Sequence, residues 1–223
     1  MKYQAVLFDL GGTLVKTAEV PEIFRRIIET FGLRFDIERI NKALEVNTGN
    51  FDVETGQVEL GESFWNKWNA NLLTEIGIEN GAEHLGRRIS AMWWDYASLE
   101  IYADVLPTLS DLATNNVLVG IVTNALRNDY EQMLRRVGIE RYFDVIVGTD
   151  DCNAAKPDPR MFQHALKKLN LKPFEAIFVG DDLRRDYEGS KKVGMKPVLI
   201  DREGKDTADI ESVSRLTEIF KYL

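Results

Sequence analysis

An α/β fold, built as a doubly wound parallel sheet with an inserted helical bundle, is the architecture this sequence predicts. Three observations predict it. Five short runs rich in Val, Ile, Leu and Phe recur at residues 5–8, 117–122, 145–147, 176–179 and 197–200, and apolar runs of this kind read as strands buried on both faces. Helical patterns separate the later runs, an alternation that argues for a parallel sheet covered by helices. Residues 16–99 hold no strand-like run and space their apolar side chains at helical intervals.

Taken in order, the first run ends at Phe8 and delivers Asp9 and the glycine pair Gly11-Gly12. The insert follows. Ile23, Phe24, Ile27, Ile28 and Phe31 form one apolar stripe, and Ile37, Ile40 and Leu44, then Phe64, Trp65, Trp68 and Leu72, then Leu85, Ile89, Met92 and Trp93 continue it. This pattern predicts about four helices packed as a bundle, with the tryptophans serving its core. The chain returns through residues 102–107 to the run at 117–122. Beyond it, helical patterns at 130–137, 161–169 and 187–193 alternate with the remaining runs. Asp158 before Pro159 is a cap followed by a favoured first helical residue, and Gly138 and Gly194 stand where helices should stop.

The bulk numbers set limits. A chain of 223 residues with 44% hydrophobic content buries a substantial core. A formal net charge of −8 repels nucleic acid and anionic membrane at long range. Cys152 is the sole cysteine, so no internal disulfide calls for an oxidising compartment, and a cytoplasmic location is expected. The apolar runs fall far short of the roughly 20 residues of a membrane span.

In open parallel sheets, ligands gather at the carboxyl ends of the strands. Polar residues fall at that end here: Asp9 after the first run, Thr123 and Asn124 after the second, Lys156 in the loop after the third, Asp181 and Asp182 after the fourth. Together with Asp186 they form the toolkit of metal-assisted phosphoryl transfer. A carboxylate attacking phosphorus forms an acyl-phosphate intermediate, and Asp9 is the candidate nucleophile. Its repulsion from phosphate is offset by a magnesium ion held by Asp9, Asp181 and a backbone carbonyl. Asp182 and Asp186 are four residues apart, so one caps a helix while the other, Asp186, supports the metal. Thr123 and Asn124 donate to phosphate oxygens, and Lys156 neutralises the remaining charge.

Four segments in this order, Phe8-Asp9-Leu10-Gly11-Gly12-Thr13, Val122-Thr123-Asn124, Lys156-Pro157-Asp158-Pro159 and Gly180-Asp181-Asp182 with Asp186, resemble the motifs of the haloacid dehalogenase superfamily. The resemblance implies a Rossmann-like core at residues 1–15 and 100–223 and a helical cap of the first class at 16–99. It also implies a Mg²⁺-dependent phosphatase of a small phosphorylated metabolite, with substrate choice residing in the cap.

One position departs from that pattern. Phosphatases of the superfamily carry a second aspartate two residues after the nucleophile as general acid and base, and here Gly11 stands there. Its backbone carbonyl still serves a metal, but proton transfer, a contribution of roughly 10²–10⁴-fold, loses its usual agent. Three outcomes stay open: another group such as Glu19 or Glu22 supplies the proton, turnover is slow, or the leaving group needs little protonation. Two alternatives accompany the main reading: carbon–halogen hydrolysis of 2-haloacids, against which Asp181 and Asp182 speak, and a weakly active phosphate-binding regulatory protein.

Overall fold

The computed structural model describes residues 3–204 and 210–223. They form two compact units, Met1–Lys16 with Glu100–Leu223, and Thr17–Leu99. The first contains β1 (Ala5–Phe8), β2 (Val15–Lys16), β3 (Glu100–Ile101), α6 (Val105–Thr114), β4 (Leu118–Val122), α7 (Arg127–Val137), β5 (Val145–Val147), α8 (Thr149–Cys152), α9 (Pro159–Leu169), β6 (Ala176–Gly180), α10 (Gly189–Val193), β7 (Lys196–Ile200) and β8 (Ser212–Val213). The second holds α1 (Val20–Glu29), α2 (Ile37–Asn50), α3 (Val53–Leu60), α4 (Ser63–Ile76) and α5 (Ala82–Tyr96).

The main sheet has the order β5-β4-β1-β6-β7-β8, every neighbouring pair parallel. β1 lies at its centre with Phe8 level with Ile121 of β4 and Val179 of β6. From β1 the chain builds outward to β4 and β5 on one side, then restarts on the other with β6 and β7. The gap between the ends of β1 and β6 is therefore the point where strand order reverses, the place where such sheets bind ligands. β1 is buried along its whole length, which explains why its sequence shows an unbroken apolar run instead of alternation. Phe162 of α9 packs edge-to-face on Phe178 of β6 at 5.0 Å between ring centres, within a cluster that includes Leu7, Val122, Val147 and Met161.

The five runs appear as strands, with boundaries shifted by a residue at most. Three further strands were not legible: β2, β3 and β8 have two residues each, too few to display a period. The return from the insert begins with β3, and Val105, Leu106 and Pro107 already belong to α6.

The helical unit has five helices where the spacing predicts about four. The addition is α3, which buries only Gln57 and so leaves no apolar stripe to read. The tryptophans pack as expected. Trp68 is buried, Trp65, Trp93 and Trp94 lie against the core formed by Ile27, Phe64, Leu72 and Ile89, and Phe64, Trp65 and Trp68 meet edge-on at 4.9 and 5.8 Å.

Past β6 the helical pattern expected at 187–193 begins earlier and differently. Leu183–Glu188 form a π-helical turn, and α10 follows it directly. The wider turn is visible in the backbone, where the Tyr187 amide donates to Asp182 O at 3.2 Å.

Candidate active site

The site assembles from the carboxyl ends of β1, β4 and β6 and the loop that follows α8. Asp9 leaves β1 with its amide donating to Val179 O at 2.9 Å, a continuation of the β1–β6 ladder. The chain then turns back on itself through Gly12 N to Val15 O at 2.8 Å and Leu14 N to Leu10 O at 2.9 Å. Gly12 has φ of +80°, and a Cβ there would lie 2.3 Å from Asp181 Oδ2. No other residue type meets both conditions. Thr13, fully buried, donates from Oγ1 to Asp181 Oδ1 at 3.3 Å.

On the β6 side, Gly180 makes a second close approach, since a Cβ there would lie 2.3 Å from Asp186 Cγ. The π-helical turn sets Asp186 over that glycine, as such turns often do at functional positions. Asp182 is the cap: its carboxylate accepts from the Arg185 amide at 2.7 Å and pairs with the Arg185 guanidinium at 3.5 Å. Its own amide donates to Asp186 Oδ2 at 3.1 Å.

Lys156 joins the two acids. Its ammonium, only 2% exposed, donates to Asp9 Oδ1 at 2.6 Å and to Asp186 Oδ1 at 2.7 Å. Asn124 holds the segment that carries it, because its Oδ1 accepts from Lys156 N at 2.6 Å and its Nδ2 donates to Lys156 O at 3.1 Å. Asn124 is in turn held through its carbonyl, which accepts from Thr149 Oγ1 at 2.9 Å. Thr123 is buried, and its hydroxyl accepts from the Ala125 amide at 3.2 Å, leaving its own proton to donate. Behind these loops Asp150 caps α7 by accepting from Arg127 N at 3.0 Å, and Asp151 accepts from Gly148 N at 2.8 Å.

Burial raises the Asp9 carboxyl above its ordinary range, against the opposing pull of Lys156, while the Asp181 charge adds to the rise. Burial likewise pushes Asp186 up to about 6, with Lys156 pulling it down and Asp9 raising it. Asp181 is raised by the protein around its carboxyl and by the Asp186 charge, although its side chain reaches solvent. Burial works against the Lys156 ammonium, but Asp186 and Asp9 more than offset it and hold the amine above its usual range.

One oxygen from each of Asp9, Asp181 and Asp186 lies within 4.8 Å of the others. Three carboxylates against one ammonium leave two negative charges without compensation when all three are ionised, and that repulsion adds to the burial that already raises the carboxyls. An all-oxygen donor set of this charge fits a hard divalent cation such as Mg²⁺.

Asp9, Lys156, Asp181 and Asp186 thus converge, Thr123 and Asn124 stand at the neighbouring strand end, and Gly11 occupies the exposed turn beside Gly12. The sequence reading missed Arg202. Its Nη2 donates to Thr13 O at 2.7 Å, and its two terminal nitrogens pair with Asp104 at 3.1 and 3.2 Å. The guanidinium lies over the Tyr102 ring at 3.7 Å. Its place two residues past the fifth run, at the same end of the sheet, is the signal that could have found it.

Residues 6–200 match the model of the haloacid dehalogenase-like hydrolases, and the chain belongs to that family. It is 31% identical over 206 residues to a glyceraldehyde 3-phosphate phosphatase of Methanopyrus kandleri, covering 91% of this chain and 85% of that one. It is 29% identical over 218 residues to the pyrophosphatase PpaX of Bacillus mycoides, covering 95% and 90%. Among solved structures, a HAD phosphatase from Thermococcus onnurineus shares 28% identity at a TM-score of 0.69, covering 98% of this chain and 97% of that one. The magnesium-bound hydrolase YfnB from Bacillus subtilis shares the fold at a TM-score of 0.78 and 19% identity, covering 100% and 99%.

Proposed function

We propose that the chain is a Mg²⁺-dependent phosphatase of a small phosphorylated metabolite that works through an aspartyl-phosphate on Asp9. The observation that carries this reading is the convergence of Asp9, Asp181 and Asp186, with buried Lys156 bridging Asp9 and Asp186, at the reversal point of the sheet. The relatives named phosphatase and pyrophosphatase support the reaction class. In this reading residues 1–15 and 100–223 form the catalytic core and 16–99 the substrate-selecting cap, and the setting is cytoplasmic.

Asp9, Asp181, Asp186 and the Gly11 carbonyl are the groups that would hold Mg²⁺. When bound, the ion supplies charge neutralisation and polarisation of a phosphoryl oxygen. The protein supplies the rest. One oxygen of Asp9 attacks phosphorus while Lys156, bonded to Oδ1, keeps the carboxylate oriented and offsets its repulsion from phosphate. Thr123 donates its hydroxyl proton to a phosphoryl oxygen. Asn124, assigned to phosphate from the sequence, spends its carboxamide on both backbone groups of Lys156, so its contribution runs chiefly through the placement of that lysine.

Incubation with a phosphomonoester panel, with and without Mg²⁺, tests the proposal. Metal-dependent phosphate release that Asp9→Asn abolishes is expected. Release from no ester, or halide release from 2-haloacids that persists in chelator, contradicts it.

A further inference from the structure

Position 11 combines an absent side chain with room for one. Gly11 is exposed, its backbone lies outside the left-handed region, and a Cβ built on it meets nothing within 4 Å. Neither space nor backbone conformation demands glycine there, in contrast to Gly12 one residue on. A Cβ fits, and the chain does without one.

The neighbouring side chains of the catalytic unit do not take over the proton of the aspartate usual at this position. Asp186 accepts on both oxygens, from Lys156 Nζ and from Asp182 N. Lys156 is committed to two carboxylates, and ammonium groups hold their protons too tightly to serve as acids near neutrality. Thr13 donates its hydroxyl to Asp181, Asn124 is engaged with the Lys156 backbone, and Thr123 offers only an alcohol proton. Asp181 accepts from Thr13 and is one of the carboxylates that would hold the metal. Within the catalytic unit, what surrounds the nucleophile is therefore suited to stabilising charge on the phosphoryl group and poorly suited to protonating the oxygen that departs.

From this we infer that the enzyme's substrates carry phosphate on an oxygen that leaves as a stabilised anion: acyl phosphates, phosphoric anhydrides, and monoesters of acidic hydroxyls, in preference to phosphates of simple alcohols. The inference rests on the phosphatase reading above and narrows it. In the first step an Asp9 oxygen bonds to phosphorus and the bond to the leaving oxygen breaks, its electron pair departing as carboxylate, phosphate or aryloxide. In the second, water attacks phosphorus, the bond to Asp9 breaks with its pair returning to the carboxylate, and the proton of water passes to solvent. Neither departure requires a proton from the protein. A simple alkoxide does, and general acid catalysis is worth roughly 10²–10⁴-fold.

The test compares kcat/KM of the Mg²⁺-supplied wild type on acetyl phosphate, pyrophosphate, a series of aryl phosphates of graded phenol acidity, and two alkyl phosphates, glycerol phosphate and glyceraldehyde 3-phosphate. The expected result is at least a hundredfold preference for acetyl phosphate or pyrophosphate over both alkyl esters, with aryl rates falling steeply as the phenol becomes less acidic. The acetyl and pyrophosphate arms separate acyl phosphates from anhydrides. Gly11→Asp is expected to flatten the aryl slope and narrow the preference by about tenfold or more, in line with a restored general acid. Equal rates on alkyl and acyl phosphates, or an aryl series with no slope in the wild type, overturn the inference and leave the phosphatase reading intact. No turnover on any of these compounds overturns both.

Discussion

Lys156 carries the electrostatics of the site at the scale of single residues. Its ammonium is buried between Asp9 and Asp186, and removing one partner of a buried ion pair is costlier than the pair is stabilising, because a charge stays behind without compensation. Lys156→Met is expected to lower stability at pH 7 by about 3–5 kcal/mol and to abolish turnover. At pH 5 the penalty should shrink, since Asp186, pushed up to about 6, then holds a proton. Chemical denaturation of the metal-free variant at both pH values checks this. Equal losses at pH 5 and 7 would show that the carboxylates do not depend on the ammonium.

Asn124 invites a different measurement. Substituting alanine leaves the Lys156 amide and carbonyl without these partners, a loss of about 1–3 kcal/mol if they stay buried. In a double-mutant cycle with Lys156→Met, read as binding of inorganic phosphate, the two effects should be strongly non-additive, because Asn124 acts through the lysine. Additive effects would return Asn124 to direct phosphate contact, the role its sequence position indicates. Position named Asn124 as part of the site. The two bonds to Lys156, thirty-two residues away, depend on how β4 and the loop after α8 are brought together, and no local pattern encodes that.

At the scale of elements, the turn after β1 and the π-helical turn after β6 hold the acids in register. Gly12→Ala places a methyl on the Asp181 carboxylate and forces an unfavourable φ, so Mg²⁺ affinity measured by calorimetry should fall at least tenfold, a loss of about 1.4 kcal/mol. Unchanged affinity would detach Asp181 from the metal. Arg202 binds the ends of two elements, holding the Thr13 carbonyl beside β2 and Asp104 beyond β3, while Leu216 N also donates to Asp104 at 2.8 Å. Arg202→Lys keeps the charge but loses the planar fork, and hydrogen exchange across residues 10–15 should quicken while the β1 and β6 amides stay protected. Uniform exchange in wild type and variant would leave Arg202 without this role. The strands with long apolar runs were legible because burial on both faces is written into composition. β2 and β3 were not, because two-residue strands are defined by their partners alone, and the π-helical turn was read as ordinary helix because its apolar spacing differs so little.

Across the whole molecule, the excess of negative charge at one point of the sheet links metal binding, stability and pH. The folded chain holds the Asp186 proton more tightly than an unfolded chain does. That contribution to stability is complete below the ordinary carboxylate range and is lost as pH rises through about 6. Mg²⁺ competes with the proton for the same oxygens, so the rise in melting temperature on adding Mg²⁺ should be small at pH 5 and larger at pH 7.5. A rise that shrinks across this range would contradict the assignment of Asp186. Among the described residues no helix is long and apolar enough to cross a membrane, in keeping with the short runs seen in the sequence.

Order of motifs made the fold and the identity of the acids legible, since each motif follows a run that must be a strand. The departure at Gly11 was legible too, but its weight was not. Only the open space around that residue, and the lack of a carboxylic acid beside it in the catalytic unit with a proton to spare, turns a missing side chain into a statement about the leaving group.

The central claim, that Asp9 accepts the phosphoryl group, is tested most directly by rapid acid quench during turnover with Mg²⁺ and acetyl phosphate, followed by mass analysis of the peptide containing Asp9. The expected result is one phosphoryl group on that peptide, absent without Mg²⁺ and absent in Asp9→Asn. Full turnover by the wild type with Asp9 unmodified, or turnover retained by Asp9→Asn, would contradict it.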